Sequence, residues 1–117
     1  MARIHSLRKS TLALRQRRQA LLRLLKVPPD SIRGSVVERY GTCGKPQCTC
    51  HTGSKHGPYY YLVQCIAAGH VRKFLLKEEP ERKRARQAVD AFSDFYDQLE
   101  ELSQINAELL RRGESPA

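Results

Sequence analysis

The chain has 117 residues, with 21 Lys/Arg against 12 Asp/Glu, a net charge of +9 and four cysteines. A length of this order supports one ordinary core, or a smaller core with helical extensions, and excludes two. No apolar run approaches the ~18 residues that a membrane-spanning helix needs. The opening Met1-Ala2-Arg3-Ile4-His5-Ser6 lacks the apolar segment and cleavage site of a secretory signal, so the expected setting is cytoplasmic.

Charge is unevenly spread. Residues 1 to 34 carry nine Lys/Arg and one Asp/Glu, residues 35 to 77 six and one, and residues 78 to 117 six and ten. A basic front and middle with an acidic rear would draw a polyanion to one side of the molecule, and phosphate backbones are the commonest such partner.

From about Ser6 to Lys26, Leu7, Leu14, Leu21 and Leu25 recur near helical spacing, with Arg15, Arg17, Arg18 and Arg23 between them, until Val27-Pro28-Pro29 stops the pattern. This predicts a basic amphipathic helix. Its apolar face has no Trp or Phe, which argues against a membrane-surface role. Ser35 to Tyr40 reads as a short strand. Tyr59 to Ile66, rich in aromatic and β-branched residues, reads as a stronger one, followed by a turn at Ala67-Ala68-Gly69-His70 and a returning strand over Val71 to Leu76. Alternation divides the middle strand into Tyr59, Tyr61, Val63, Cys65 and Tyr60, Leu62, Gln64, Ile66, of which only one set can line the core.

The last element opens at Glu78-Glu79-Pro80-Glu81, where acids and a first-turn proline suit the positive end of a helix. It closes at Arg111-Arg112-Gly113, with cations and glycine at the negative end. Read as heptads, its inner positions are Ala85, Ala88, Phe92, Phe95, Leu99, Leu102, Asn106 and Leu109, widened by Val89, Tyr96 and Leu110. Phe92, Phe95, Leu99, Leu102, Asn106 and Leu109 are the candidate packing and homodimer residues, the near half packing within the chain and the distal half forming a coiled-coil-like contact. Glu114 to Ala117 are expected to fray. The fold class is therefore α+β: an N-terminal basic helix (1–33), a small antiparallel sheet of about three strands with a cysteine knuckle (34–77), and a long C-terminal helix (78–117).

Cys43-Gly44-Lys45-Pro46-Gln47-Cys48-Thr49-Cys50 brings three thiols together along a turn-forming segment. In a reducing cytosol such crowding indicates metal ligands before disulfides. Zinc takes four ligands in a tetrahedron, mainly thiolate and imidazole. His51 and His56 are both available as the fourth. His56 is preferred, because His51 adjoins a ligand while Thr52 to Lys55 form a loop that lets His56 return. Cys65, on the predicted middle strand, is expected as a buried small hydrophobe. The only carboxylate between Arg33 and Lys77 is Glu38, and no P-loop, HExxH or GxSxG motif occurs. A structural Zn2+ fits these residues better than a catalytic one, with a thiol- or metal-dependent enzyme as the rival reading.

Gly34 to Tyr40, CGKPQCTC over Cys43 to Cys50, and His56-Gly57-Pro58-Tyr59-Tyr60-Tyr61-Leu62 together resemble an uncharacterised family of small bacterial and archaeal proteins. The resemblance spans roughly Arg33 to Arg112. It implies a glycine-led strand, a cysteine knuckle, a hairpin and a long helix. It also implies that Cys43, Cys48, Cys50 and His56 are the ligands and Cys65 is not. A looser similarity in element order is to the arm-binding domains of tyrosine recombinases, where a three-stranded sheet backed by a helix enters the major groove of DNA.

Aromatics interleaved with cations suit base stacking and phosphate contact. The candidate nucleic-acid contacts are Arg15, Arg17 and Arg18 on the first helix, Arg39, Lys45 and Lys55 around the first strand and knuckle, and Tyr59, Tyr61, Arg72 and Lys73 on the hairpin. The expected function is non-catalytic nucleic-acid binding, with DNA ahead of RNA and nucleoid association where the ligand is DNA. A protein-interaction adaptor acting through the long helix is the alternative.

Overall fold

Helix α1 runs over Thr11–Leu24 in the structure, a computed structural model that describes residues 7–116. The predicted start at Ser6, the opening residues read for a signal, and Ala117 lie outside the described residues. Leu7 to Ser10 are not helical, because the Ser10 side chain accepts from the Ala13 N–H at 3.1 Å and caps the helix there. Pro28 and Pro29 follow soon after its end.

Strands β1 (Ser35–Gly41), β2 (His56–Ala67) and β3 (His70–Leu75) form one antiparallel sheet in chain order. Gly69, at φ +79°, makes the two-residue turn between β2 and β3. Helix α2, Glu79–Arg111, has 33 residues and is about 50 Å long. The chain is thus α+β as expected, and no helix among the described residues is long and apolar enough to cross a membrane.

Two compact units divide the chain differently from the three-part plan. The first takes the described residues up to Asp30 together with those from Ala91 onwards, and the second takes Ser31–Asp90.

In the second unit, alternation turns Val36, Tyr60 and Leu62 to one face, where they pack with Leu76, Ile32 and the α2 residues Ala85 and Val89. The guanidinium groups of Arg82 and Arg86 lie over the Tyr60 ring, 5.0 and 5.3 Å from its centroid. The Ile32 N–H donates to the Ala88 carbonyl and the Leu76 N–H to that of Tyr60, which ties both ends of the sheet segment to its neighbours. Only Leu62, Leu76 and Ala85 are fully buried in this core.

In the first unit, Leu14 and Leu21 of α1 pack against Ile105 and Leu109 of α2, with Leu102 beside them. Arg17 holds Glu101 through two bonds of 2.6 and 2.9 Å, and Arg18 Nε donates to Asn106 Oδ1 at 3.0 Å. Arg112 donates to Glu108 and to the carbonyls of Leu7 and Lys9. The distal half of α2 therefore packs on α1 of its own chain, where the heptad pattern placed an intermolecular seam. The heptad reading also missed Ile105, which is buried, and assigned inward Leu99, which is 44% exposed. Ala85 and Val89 are covered by the sheet whereas Ile105 and Leu109 are covered by α1, so one heptad register does not mark both covered faces.

Two outcomes follow for stability. Leu21→Ala removes a fully buried side chain and is expected to cost about 2–5 kcal/mol in urea unfolding. Leu12→Ala, on the same helix but 65% exposed, should change stability by no more than about 0.5 kcal/mol. Glu108 is held down to about 2 by hydrogen bonds from Arg111 and then Arg112. A depressed carboxyl stabilises the fold above its ordinary value of 4.5, and that contribution is lost as pH falls towards 2. Glu108→Gln should therefore be less stable than the parent at neutral pH, with the two unfolding curves converging on acidification through that window.

Candidate metal centre and sheet surface

The knuckle is built where β1 ends and β2 begins. Gly41 pairs with His56, and between Arg39 and Gly41 the register shifts so that Tyr40 faces the two residues Gly57 and Pro58. Gly57 sits at φ +131°, and a Cβ there would stand 2.8 Å from the Arg39 carbonyl oxygen. Only glycine lets β2 approach β1 this closely, and that approach puts His56 beside Cys43.

The intervening loop turns back twice. The Cys48 N–H donates to the Lys45 carbonyl, and a single 3-10 turn over Thr49–His51 follows, with the His51 N–H donating to the Cys48 carbonyl. Cys50 is buried, Cys43, Cys48 and His56 are half-buried, and their ligating atoms all lie within 4.8 Å of one another. The Cys43 and Cys50 sulfurs are 3.7 Å apart, and Cys48 Sγ is 3.2 Å from His56 Nε2. Metal–sulfur bonds near 2.3 Å in a tetrahedron put neighbouring sulfurs about 3.8 Å apart, so these edges are close to those of a four-coordinate ion. The four residues could hold a metal ion.

His51 takes a different part. Its Nε2 lies 2.9 Å from the Lys45 carbonyl oxygen, so the ring braces the loop. Cys65 is exposed and stands apart from the cluster, which corrects its expected place in the core. It lies near the outer end of β2 on the face that α2 does not cover, where burial never reaches it.

The electrostatics suit a cation. Hydrogen bonds from the Cys50 backbone, then from the side chains of Cys50, Cys43 and His56, lower the Cys48 thiol to about 6. Burial acts the other way on Cys50 and raises it, helped by the neighbouring thiols. The Cys43 N–H points at Cys50 Sγ at 3.3 Å and would support a thiolate there.

The second group of predicted residues divides by strand alternation. Arg39 pairs with Tyr59, Val37 and Leu75 flank Tyr61, and Lys73 pairs with Val63, so Arg39, Tyr59, Tyr61 and Lys73 share one face. No residue on that face is buried. The Lys73 ammonium sits 4.3 Å from the Tyr61 ring centroid. Arg72 falls on the opposite face, over Phe74 at 4.7 Å, because adjacent strand residues cannot share a side. Lys45 and Lys55 are exposed in the knuckle loop. Arg15, Arg17 and Arg18 belong to the other unit and are engaged there, Arg15 with Glu114 and the Ser115 carbonyl. Glu38 accepts from the Tyr40 hydroxyl at 2.6 Å, which raises the Tyr40 pKa.

Sequence reading overlooked one contributor, the run Arg82-Lys83-Arg84-Ala85-Arg86, because it was counted with the acidic rear. It folds with the sheet, and Ser31–Asp90 then carries eleven Lys/Arg against five Asp/Glu.

The chain belongs to the family described as a domain of unknown function, DUF6788, which matches residues 11–85, from the start of α1 through the whole sheet to the first turns of α2. No curated protein and no solved structure matches it.

Titration with cobalt(II), followed by thiolate-to-metal absorption, should saturate at one ion per chain. Cys43→Ser and Cys50→Ser should abolish tight binding, while His51→Ala and Cys65→Ser retain it. Acidification should release the ion as protons compete for the thiolates.

Proposed function

We propose that this protein is a zinc-stabilised, non-catalytic nucleic-acid-binding protein that contacts its ligand through the open face of the β1–β3 sheet. The observation that carries this reading is the placing of Arg39, Tyr59, Tyr61 and Lys73 on one unburied face, next to a knuckle that presents Lys45 and Lys55. Guanidinium and ammonium groups there would neutralise phosphates and release their counterions, the main source of affinity for any polyanion.

Zinc is the ion that best suits three thiolates and an imidazole in a tetrahedron. Four protein donors leave no open position for a substrate or an activated water, so the ion is a staple and not a reaction centre. The single carboxylate of the sheet segment, Glu38, is engaged by Tyr40 and His51 is held against the Lys45 carbonyl, so among the described residues of the knuckle no uncommitted general acid or base stands beside the four donors. These features speak against the enzyme reading.

DNA is the preferred ligand. Single-strand binders stack successive bases on several free rings. Here the Tyr61 ring already carries Lys73, and Tyr59, 42% exposed, is left as the one uncapped ring on this face among the described residues. A face of cations with one free aromatic suits the phosphates of a duplex better than a stacked strand. The likeness in element order to recombinase arm-binding domains bears on fold and adds nothing to function by itself.

Binding to random-sequence duplex DNA should be measurable at low salt and weaken steeply as salt rises. The joint change Arg39→Ala and Lys73→Ala should weaken binding across all sequences and reduce the salt slope by about one per lost phosphate contact. Absence of binding at low salt by the metal-loaded protein would overturn the reading.

A further inference from the structure

We propose that Cys43 and Cys50 form a reversible oxidation site, at which hydrogen peroxide joins the two sulfurs and exchanges a metal staple between β1 and β2 for a bond confined to the loop. The proposal rests on the reading of the four donors as a metal site and does not depend on the ligand of the sheet.

The geometry singles out this pair among the three clustered thiols. The Cys43 and Cys50 sulfurs stand 3.7 Å apart, in van der Waals contact, and their residues are seven positions apart in the chain. Cys48 Sγ is instead turned to His56 Nε2 at 3.2 Å. Joining Cys48 to Cys50 would require the 3-10 turn over Thr49–His51 to open, whereas the Cys43 and Cys50 sulfurs already meet with that turn intact. Exposure also differs within the pair. Cys43 is half-buried and Cys50 is 1% exposed, so Cys43 is the sulfur that a small oxidant reaches and Cys50 the one that resolves it. Cys65, the remaining thiol, stands outside the cluster.

The chemistry closes on the two sulfurs and the peroxide. The Cys43 thiolate attacks one peroxide oxygen, the O–O bond breaks, and the departing hydroxide takes a proton from solvent to become water. The Cys50 thiolate then attacks the sulfenic sulfur, forming the S–S bond as the S–O bond breaks, and a second hydroxide is protonated. Two thiolates lose two electrons in all, and one peroxide becomes two waters.

The exchange changes what the knuckle ties together. With an ion bound, Cys43, just beyond the end of β1, is linked to His56, the first residue of β2. A disulfide links Cys43 to Cys50 instead, and both lie in the loop between the strands. Cys48 and His56 are then left as two donors, short of the four that hold a structural zinc. Oxidation therefore expels the ion and unties the Gly41–His56 end of the sheet, two residues from Arg39.

The test uses full-length, zinc-loaded Cys65→Ser protein, in which three thiols remain. Hydrogen peroxide should release one zinc per chain to a chromogenic chelator, leave one free thiol, and lower the protein mass by two hydrogens. Digestion should then yield a peptide pair linked through Cys43 and Cys50, and a dithiol reductant should restore both the thiols and zinc uptake. Cys43→His in the same background keeps four nitrogen and sulfur donors, and it should hold its zinc at the peroxide dose that empties the parent. Zinc retained under peroxide, a disulfide mapped through Cys48, or an oxidised product that dithiol does not reverse overturns the proposal alone. A chain that takes up no zinc before oxidation overturns the metal-site reading, and the proposal with it.

Discussion

Three thiol sulfurs and an imidazole nitrogen drawn within 4.8 Å of one another form the constraint on which the sheet unit depends. Hydrogen bonds lower the Cys48 thiol, while burial first and then the neighbouring thiols raise that of Cys50, so deprotonating all three at once is costly without a cation. A divalent cation between the donors would offset that cost by attracting each thiolate. Among the described residues, the unit it would secure has a sheet core whose buried residues are Leu62, Leu76 and Ala85, too small to hold three strands by area alone. The donors sit where β1 ends and β2 begins, so one ion there would fix both the strand pairing and the excursion of the loop between them. The glycine at position 57 belongs to the same device, because the close strand approach it permits is what brings His56 into range.

From that pairing the rest of the surface follows by alternation. Once Gly41 is set opposite His56 and Arg39 opposite Tyr59, Tyr60 and Leu62 must turn towards α2, and Tyr59 and Tyr61 must turn away. A slip of one residue would set Arg39 opposite Tyr60, so that either Arg39 joined the covered face or Leu62 left it. The bulge at Gly57 and Pro58 therefore separates two demands. It lets the knuckle close on one side of the shift while the core register is kept on the other, and proline is tolerated there because a bulge spares it a ladder bond.

Much of this was legible in the residues because its causes are local. Strand composition, the proline stops, the acidic start and basic end of α2 and the thiol spacing each act over a few positions. What escaped reading depends on where distant segments meet. Cys65 looks apolar in its strand yet lies beyond the reach of the helix that covers the other face. Ile105 escapes a single seven-residue register because the two halves of α2 are covered by different partners, the sheet and α1. Arg72 was grouped with Lys73 by nearness in sequence, although neighbours on a strand point to opposite sides. The cations at positions 82 to 86 were averaged into an acidic segment that the fold divides.

That division also relocates the charge. By segment, the N-terminal residues are the most basic part of the chain, and they would be the natural place for a polyanion. In the fold, Arg15 and Arg17 are paired with Glu114 and Glu101, and Arg18 is bonded to Asn106, so the long helix neutralises much of α1 where it packs against it. The sheet unit gains the opposite treatment: it takes the cationic first turns of α2 and leaves the carboxylates beyond Asp90 to the other unit. Net positive charge is therefore concentrated in the sheet unit, which has eleven Lys/Arg against five Asp/Glu. One helix with an asymmetric charge distribution thus does two things, pairing the arginines of the helical unit and adding to the cations of the sheet unit, on which the proposed phosphate contact draws.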